Sequence, residues 1–149
     1  MKKFKFRYES VLKMRIDHED RVKNELAKLI AEKQRLDDRL AELREGAQQY
    51  DQHIETLMTE GDTYHERFQI NQGKRYYRDQ IQAVLEQIQQ VTHEIQKVQI
   101  KLVEAMKERK IMEKLKEKAF QEFVQAINDA DFKLIEEVVN FLNNKRDGE

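Results

Sequence analysis

The chain has 149 residues, of which 38% are charged and 39% apolar, and it contains no Trp, Cys or Pro. This composition leaves too little apolar material for a thick globular core, and the lack of Cys excludes disulfides and thiolate metal sites. The lack of Pro favours long helices. The 28 basic and 29 acidic residues give a net charge of -1, which disfavours nucleic acid held by bulk charge.

The first predicted element is a helix over about residues 7–58. Apolar residues return there at alternating spacings of three and four, with Lys33 as the one polar interruption. Gly46 lowers the stability of this helix by roughly 1 kcal/mol relative to Ala without ending it. The stripe consists of Val22, Leu26, Leu29, Lys33, Leu36, Leu40, Leu43, Ala47, Tyr50, Ile54 and Leu57.

A reversal is predicted over about residues 59–75, because the helix-breaking residues cluster in this segment. These residues are Gly61, Asp62, Asn71 and Gly73. A short helix inside the segment, supported by Tyr64, Phe68 and Ile70, is left open.

The second predicted helix covers about residues 74–142 and carries a more regular stripe. A 3.5-residue period held over this length predicts two helices in a left-handed supercoil. The predicted fold is therefore all-α, a long two-helix antiparallel coiled-coil hairpin forming a single rod over residues 1–149. Within these residues a flexible acidic tail follows the second helix, and a break of that helix near Asn128 is left open. The stripe consists of Tyr77, Ile81, Val84, Ile88, Val91, Ile95, Val98, Leu102 and Ala105.

The stripes also predict a register between the two helices. A hairpin closed between residues 57 and 77 pairs Leu43 with Val91 and Leu40 with Ile95. Extension toward the termini places polar side chains in the seam, which lowers stability and fixes register. This layer is predicted to contain Arg15, Glu19, Arg109 and Lys116, with Glu19 near Lys116.

Charge and aromatic residues concentrate at the two ends of the predicted hairpin. Residues 1–23 contain eight basic and four acidic residues, and residues 101–118 contain seven and four. Residues 119–149 contain three basic and seven acidic residues. Aromatic side chains exposed on a thin tip are typical of protein interfaces, although some of them are expected to close the turn instead.

No catalytic, metal or cofactor site is predicted. None of the four His has H-E-x-x-H spacing, no phosphate-binding Gly-rich loop is present, and Ser10 is the only serine. A two-helix rod also lacks the concave site that shifts carboxylate pKa values. The basic start at Lys2 and Lys3 is not followed by the apolar region of a signal peptide, and no membrane span is predicted. We expect a cytoplasmic protein that is not an enzyme.

Three segments in order resemble one family of coiled-coil proteins. They are Phe4-Lys5-Phe6-Arg7 with Val11-Leu12-Lys13-Met14-Arg15, the segment from Tyr77-Arg78-Asp79-Gln80 to Ile88, and Glu113-Lys114-Leu115-Lys116-Glu117-Lys118 with Phe120 and Phe123. Together they resemble FliJ, the small coiled-coil protein of the flagellar type III export apparatus.

The resemblance implies a stalk similar to that of rotary ATPases, inserted into the hexameric export ATPase and promoting ring assembly. It also implies contact with the cytoplasmic domain of the membrane export gate and with export chaperones, at the inner membrane of the flagellar base. The ATPase contacts are expected at Phe4, Phe6, Arg7, Arg15, Arg109, Lys114, Lys116 and Lys118. The gate contacts are expected at Tyr50, Tyr64, Phe68, Tyr76, Tyr77, Gln80, Val84 and Gln87.

Three alternatives stay open at this point. An injectisome stalk protein shares the expected architecture, and a passive coiled-coil scaffold needs no nucleotide-linked partner. A nucleic-acid-associated dimer would lose binding steeply with salt, and the near-neutral charge disfavours it.

Overall fold

The chain forms two long helices in a computed structural model that describes residues 2–57 and 63–148. Helix α1 covers Glu9–Leu57 and helix α2 covers Tyr64–Asp147. The described residues contain no strand. The prediction of an all-α helical hairpin is confirmed.

Close contacts divide the chain into two compact units. The terminal unit consists of Met1–Asp20 and Glu104–Glu149, and the reversal unit consists of Arg21–Val103. Within each unit, part of α1 packs antiparallel against part of α2. The thin core of the reversal unit comes from the predicted stripes, whose members are all buried or half-buried except Leu57, which is 58% exposed. In the described part of the terminal unit the buried residues are Leu12, Glu19 and Ala105, of which only Ala105 belongs to a predicted stripe.

Helix α2 begins about ten residues earlier than the sequence pattern predicts. Thr63 caps it, because the Glu66 amide donates to the Thr63 hydroxyl (3.3 Å) and the Thr63 amide donates to the Glu66 carboxylate (3.4 Å). This reciprocal pair is a capping box, which satisfies amides at a helix start. Asn71 and Gly73 therefore lie inside α2. Gly61, Asp62 and the predicted end of the first helix near residue 58 lie outside the described residues.

The early start of α2 makes the predicted register wrong. In the reversal unit Gly46 faces Tyr77. Leu43 precedes Gly46 by one turn, and in an antiparallel pair it therefore lies opposite the turn that follows Tyr77. It does not lie opposite Val91. The same displacement excludes the predicted pairing of Leu40 with Ile95. In the terminal unit Glu19 pairs with Arg109, and Lys116 pairs with Glu9.

The far end of α2 is also longer than predicted. The helix continues without a break past Asn128 to Asp147, where the predicted tail lies. Lys145 and Arg146 occupy its last turn, and basic side chains there interact favourably with the helix dipole.

Candidate partner-binding surfaces

The segment before α1 packs the ring of Phe4 against α2. The ring of Phe4 lies 5.3 Å from that of Phe120 and 5.5 Å from that of Phe123. Phe4 and Phe6 are half-buried, whereas Lys5 and the other basic residues between and beside them are exposed. Burial therefore alternates along residues 4–7, and the segment presents exposed cations beside half-buried aromatic rings.

A groove of about 1010 Å³ lies between this segment and α2. We call it the basic groove, since the described residues of its rim include five cations and a single carboxylate. Arg7 extends its guanidinium over the Tyr8 ring at 5.5 Å, and Tyr8 meets Phe6 edge to face at 5.9 Å. The rim cations are Lys2, Lys3, Lys5, Arg7 and Lys118, and the carboxylate is that of Glu122.

Three of the predicted ATPase-binding cations pair with α1 or α2 carboxylates inside the terminal unit. Arg15 contacts Glu108 at 2.9 Å, and Lys116 contacts Glu9 at 3.0 Å. Arg109 donates to Glu19. The pairs join α1 to α2. Glu19 is buried and Arg109 and Lys116 are half-buried, as the predicted polar layer requires, whereas Arg15 is exposed. The partners also differ from the predicted ones.

Arg109 has the most completely satisfied guanidinium of this layer. It donates to both carboxylate oxygens of Glu113 at 2.9 Å, as well as to Glu19, whose side chain is only 4% exposed. Hydrogen bonding to Glu113 and to Glu19 raises the pKa of Arg109 above its ordinary value. Arg109 therefore stays charged throughout the physiological pH range.

Lys114 and Lys118, the other two predicted cations of α2, are exposed. Within the part of the chain that the structure describes, neither makes an ion pair. With the basic groove, they form the cationic surface of the terminal unit that is available to a partner.

Three of the predicted gate-binding residues face the interior of the reversal unit. The Tyr50 hydroxyl donates to the Ile70 carbonyl oxygen at 3.1 Å, and the Tyr50 and Tyr77 rings lie 5.7 Å apart. Val84 is 7% exposed and belongs to the core. These side chains therefore hold α1 against α2.

The other predicted gate-binding residues lie nearer to solvent. Tyr64 is 90% exposed and Phe68 is 51% exposed, and they share one face of α2 because they are four residues apart. Tyr76 is 53% exposed and rests edge to face on Tyr77. Gln87 is exposed and Gln80 is half-buried.

Sequence reasoning missed the role of two glycines. A Cβ atom on Gly73 would overlap the Tyr50 ring, and one on Gly46 would lie 3.0 Å from Cε1 of Tyr77. Each tyrosine thus fills a notch on the opposite helix. The signal is a repeated G-x-x-x-Y spacing, since Tyr50 follows Gly46 and Tyr77 follows Gly73 by four residues.

Comparison with known proteins supplies the family. The model of the family described as flagellar FliJ protein matches residues 4–148. No curated protein and no solved structure is matched. In the described part of the chain, no helix is long and apolar enough to cross a membrane. Because the match extends over α1 and α2, the chain belongs to the flagellar FliJ family, whose members are components of the flagellar protein export apparatus.

Proposed function

We propose that this chain is a non-enzymatic stalk of the export apparatus. Its terminal unit enters the hexameric export ATPase and promotes assembly of the ring. Its reversal unit binds the cytoplasmic domain of the membrane export gate and the export chaperones. This role holds the chain in the cytoplasm, at the inner membrane, through protein partners alone. Membership of the FliJ family supports the proposal, together with the different chemistry of the two units.

The main support for the ATPase contact is the cationic surface of the terminal unit, which consists of Lys114 and the basic groove and makes no ion pair among the described residues. Lys114 and Lys118 are exposed one turn apart, and Lys118 continues into the rim of the basic groove. A concentrated positive surface attracts an electronegative partner and orients it during encounter. Phe4 and Phe6 form the base of this surface and hold it in shape.

The paired cations have a different role in this proposal. Arg15, Arg109 and Lys116 keep α1 and α2 in register, and thereby position the exposed lysines. Reversal of their charges would disturb the terminal unit itself, so these residues make poor probes of a partner contact.

The exposed aromatic pair Tyr64 and Phe68, with Tyr76, supports the gate contact. Large aromatic side chains that remain exposed on a helix are typical anchors of protein interfaces. Tyr50, Tyr77 and Val84 support these anchors from inside. Gln80 and Gln87 continue along α2, and we assign the chaperones to the same helical surface.

The test is ATP hydrolysis by the cognate flagellar export ATPase, measured with increasing amounts of the purified chain. We expect stimulation by the native chain, and at least about a fivefold higher half-maximal concentration for Lys114→Glu/Lys118→Glu. The matched control is Lys97→Glu/Lys101→Glu, because these lysines are also exposed, four residues apart and on α2, but lie in the reversal unit.

Equal weakening by both double variants would show that total charge matters and not this surface. Absence of stimulation by the native chain at any concentration would overturn the ATPase role. Circular dichroism and thermal melting establish that each variant is folded.

A further inference from the structure

The last part of α2 presents a broad apolar face to solvent. Every described residue from Val124 onward is exposed, including large apolar side chains. A contiguous exposed apolar face of this kind marks an interaction site. The exposed apolar residues of this segment are Val124, Ile127, Phe132, Leu134, Ile135, Val138, Val139, Phe141 and Leu142.

This face continues the interface between α1 and α2. Phe120 packs against Phe4 at the end of that interface, and Ile127, Leu134, Val138 and Phe141 follow at helical spacing. The described part of the N-terminal segment contacts α2 as far as Phe123. The face of α2 that contacts α1 in the terminal unit therefore continues along α2 beyond the last contact with the N-terminal segment.

The exposed face and the basic groove have opposite charge. Residues 124–142, which we call the acidic segment, contain Asp129, Asp131, Glu136 and Glu137 against the single base Lys133. Among residues 2–57 and 63–148, the rim of the basic groove carries five cations and one carboxylate, that of Glu122. They surround the apolar side chains of Phe4, Phe6 and Leu115. Each surface thus offers the apolar area and the charge that the other lacks.

The acidic segment cannot fold back into the groove of its own chain. Helix α2 is continuous from Tyr64 to Asp147, and Leu134 lies about 16 Å along its axis beyond Phe123 at 1.5 Å per residue. A second copy of the chain can bring its acidic segment to the groove without any change in the helix.

We propose that the chain forms an antiparallel homodimer in which the acidic segment of each copy docks on the basic groove of the other. A two-fold axis near Ile127 makes the two contacts identical, as a closed dimer requires. It places Leu134 opposite the partner's Phe120 and Glu136 opposite the partner's Lys118. The dimer covers the acidic segment and the basic groove at once, and it therefore excludes simultaneous binding of the ATPase to that groove.

The test is sedimentation equilibrium of the purified full chain over a range of concentrations. We expect a monomer–dimer equilibrium whose Kd rises with salt, since the contacts include opposite charges. Leu134→Gln/Val138→Gln removes apolar contacts, and we expect it to raise the Kd at least about tenfold.

Two charge-reversed variants make the test specific. Glu136→Lys/Glu137→Lys gives the acidic segment the charge of the groove, and Lys3→Glu/Lys5→Glu/Lys118→Glu gives the groove the charge of the segment. Each variant alone is expected to lose dimerisation at least about tenfold, because like charges meet. Their equimolar mixture is expected to dimerise to within about threefold of the native chain, since opposite charges meet at both contacts.

The control is Glu25→Lys/Glu94→Lys, which makes the same charge change at exposed sites of the reversal unit and is expected to leave the Kd unchanged. A native chain that stays monomeric up to about 0.5 mM, above the Kd range of specific complexes, overturns the proposal. Failure of the mixture to dimerise overturns it as well. These measurements use the chain alone, so their outcome is independent of ATPase stimulation.

Discussion

The ring of Tyr50 occupies the space that a side chain on Gly73 would fill. Its hydroxyl lies in the notch itself and donates to the carbonyl oxygen of Ile70, one turn earlier in α2. Tyr77 makes the converse contact with Gly46 on α1, and the two tyrosine rings lie 5.7 Å apart between the notches. The two pairs therefore define how α1 meets α2 in the reversal unit.

Replacement of Gly73 by Ala is expected to destabilise the chain, although Ala is the better helix former. Ala adds about 1 kcal/mol of helix propensity, whereas overpacking at a tight contact costs about 1–3 kcal/mol and displaces the Tyr50 hydrogen bond. We expect a net loss of about 1–2 kcal/mol in the free energy of unfolding, measured by urea denaturation.

Gly46→Ala is expected to cost less than Gly73→Ala, because its Cβ atom would meet only the edge of the Tyr77 ring. Gly148→Ala is the control, since its Cβ atom would lie at ordinary contact distance, 3.4 Å from the Asn144 carbonyl oxygen. Stabilisation by Gly73→Ala would show that the notch does not constrain Tyr50.

The buried carboxylate of Glu19 is expected to select the register between α1 and α2 and to add little to the free energy of unfolding. Glu19→Ala removes a partner of Arg109 and leaves space in the seam, so we expect the melting temperature to fall by about 3–6 °C. Glu19→Leu/Arg109→Leu replaces the pair by apolar side chains that continue the stripe, and such replacements are often neutral or stabilising. We expect this double variant to melt at or above the native temperature.

Calorimetry measures both effects. A double variant that melts well below the single one would contradict this account, because it would mean that the ion pair stabilises the fold by itself.

Loss of the Thr63 hydroxyl is expected to loosen the start of α2. Thr63→Ala removes the acceptor for the Glu66 amide, and loss of such a cap costs about 1 kcal/mol. Amide hydrogen exchange of residues 64–70 is expected to accelerate while exchange near Val91 is unchanged. Thr92→Ala is the matched control, since Thr92 lies inside α2 and caps nothing. Equal acceleration in both variants would argue against the capping role.

The exposed aromatic pair is expected to dominate binding to the export gate. Tyr64→Ala/Phe68→Ala removes two large exposed side chains from one helical face, and we expect the Kd for the cytoplasmic gate domain to rise at least about tenfold. Isothermal titration calorimetry measures the Kd. Ile30→Ala/Ile100→Ala removes exposed apolar side chains elsewhere in the reversal unit and is expected to leave binding unchanged. If Ile30→Ala/Ile100→Ala weakened binding more than Tyr64→Ala/Phe68→Ala, the gate contact would lie on another face of the reversal unit.

Most of the fold follows from local sequence. The two stripes correctly predicted which faces are buried, because helical periodicity places Val22 and Leu43, or Val91 and Val98, on one side of a helix whatever lies opposite. The long helices follow from the lack of Pro and the few glycines. The start of α2 also had a local signal, the Thr63-x-x-Glu66 capping box, which the helix-breaking propensities of Asn71 and Gly73 obscured.

The amino-acid sequence alone therefore predicts the helices, their buried faces and the family. Each of these depends on residues that are close together along the chain or on the order of short segments. The register between α1 and α2 depends on tertiary structure, and so does whether a charged side chain is paired or exposed. Gly73 is a notch and not a turn residue only because Tyr50 lies across from it. Arg109 is bound to α1 because Glu19 lies opposite it, whereas Lys118 is exposed because it lies at the rim of the basic groove. Composition and period cannot distinguish these cases, because contacts between helices depend on which turns of α1 and α2 meet.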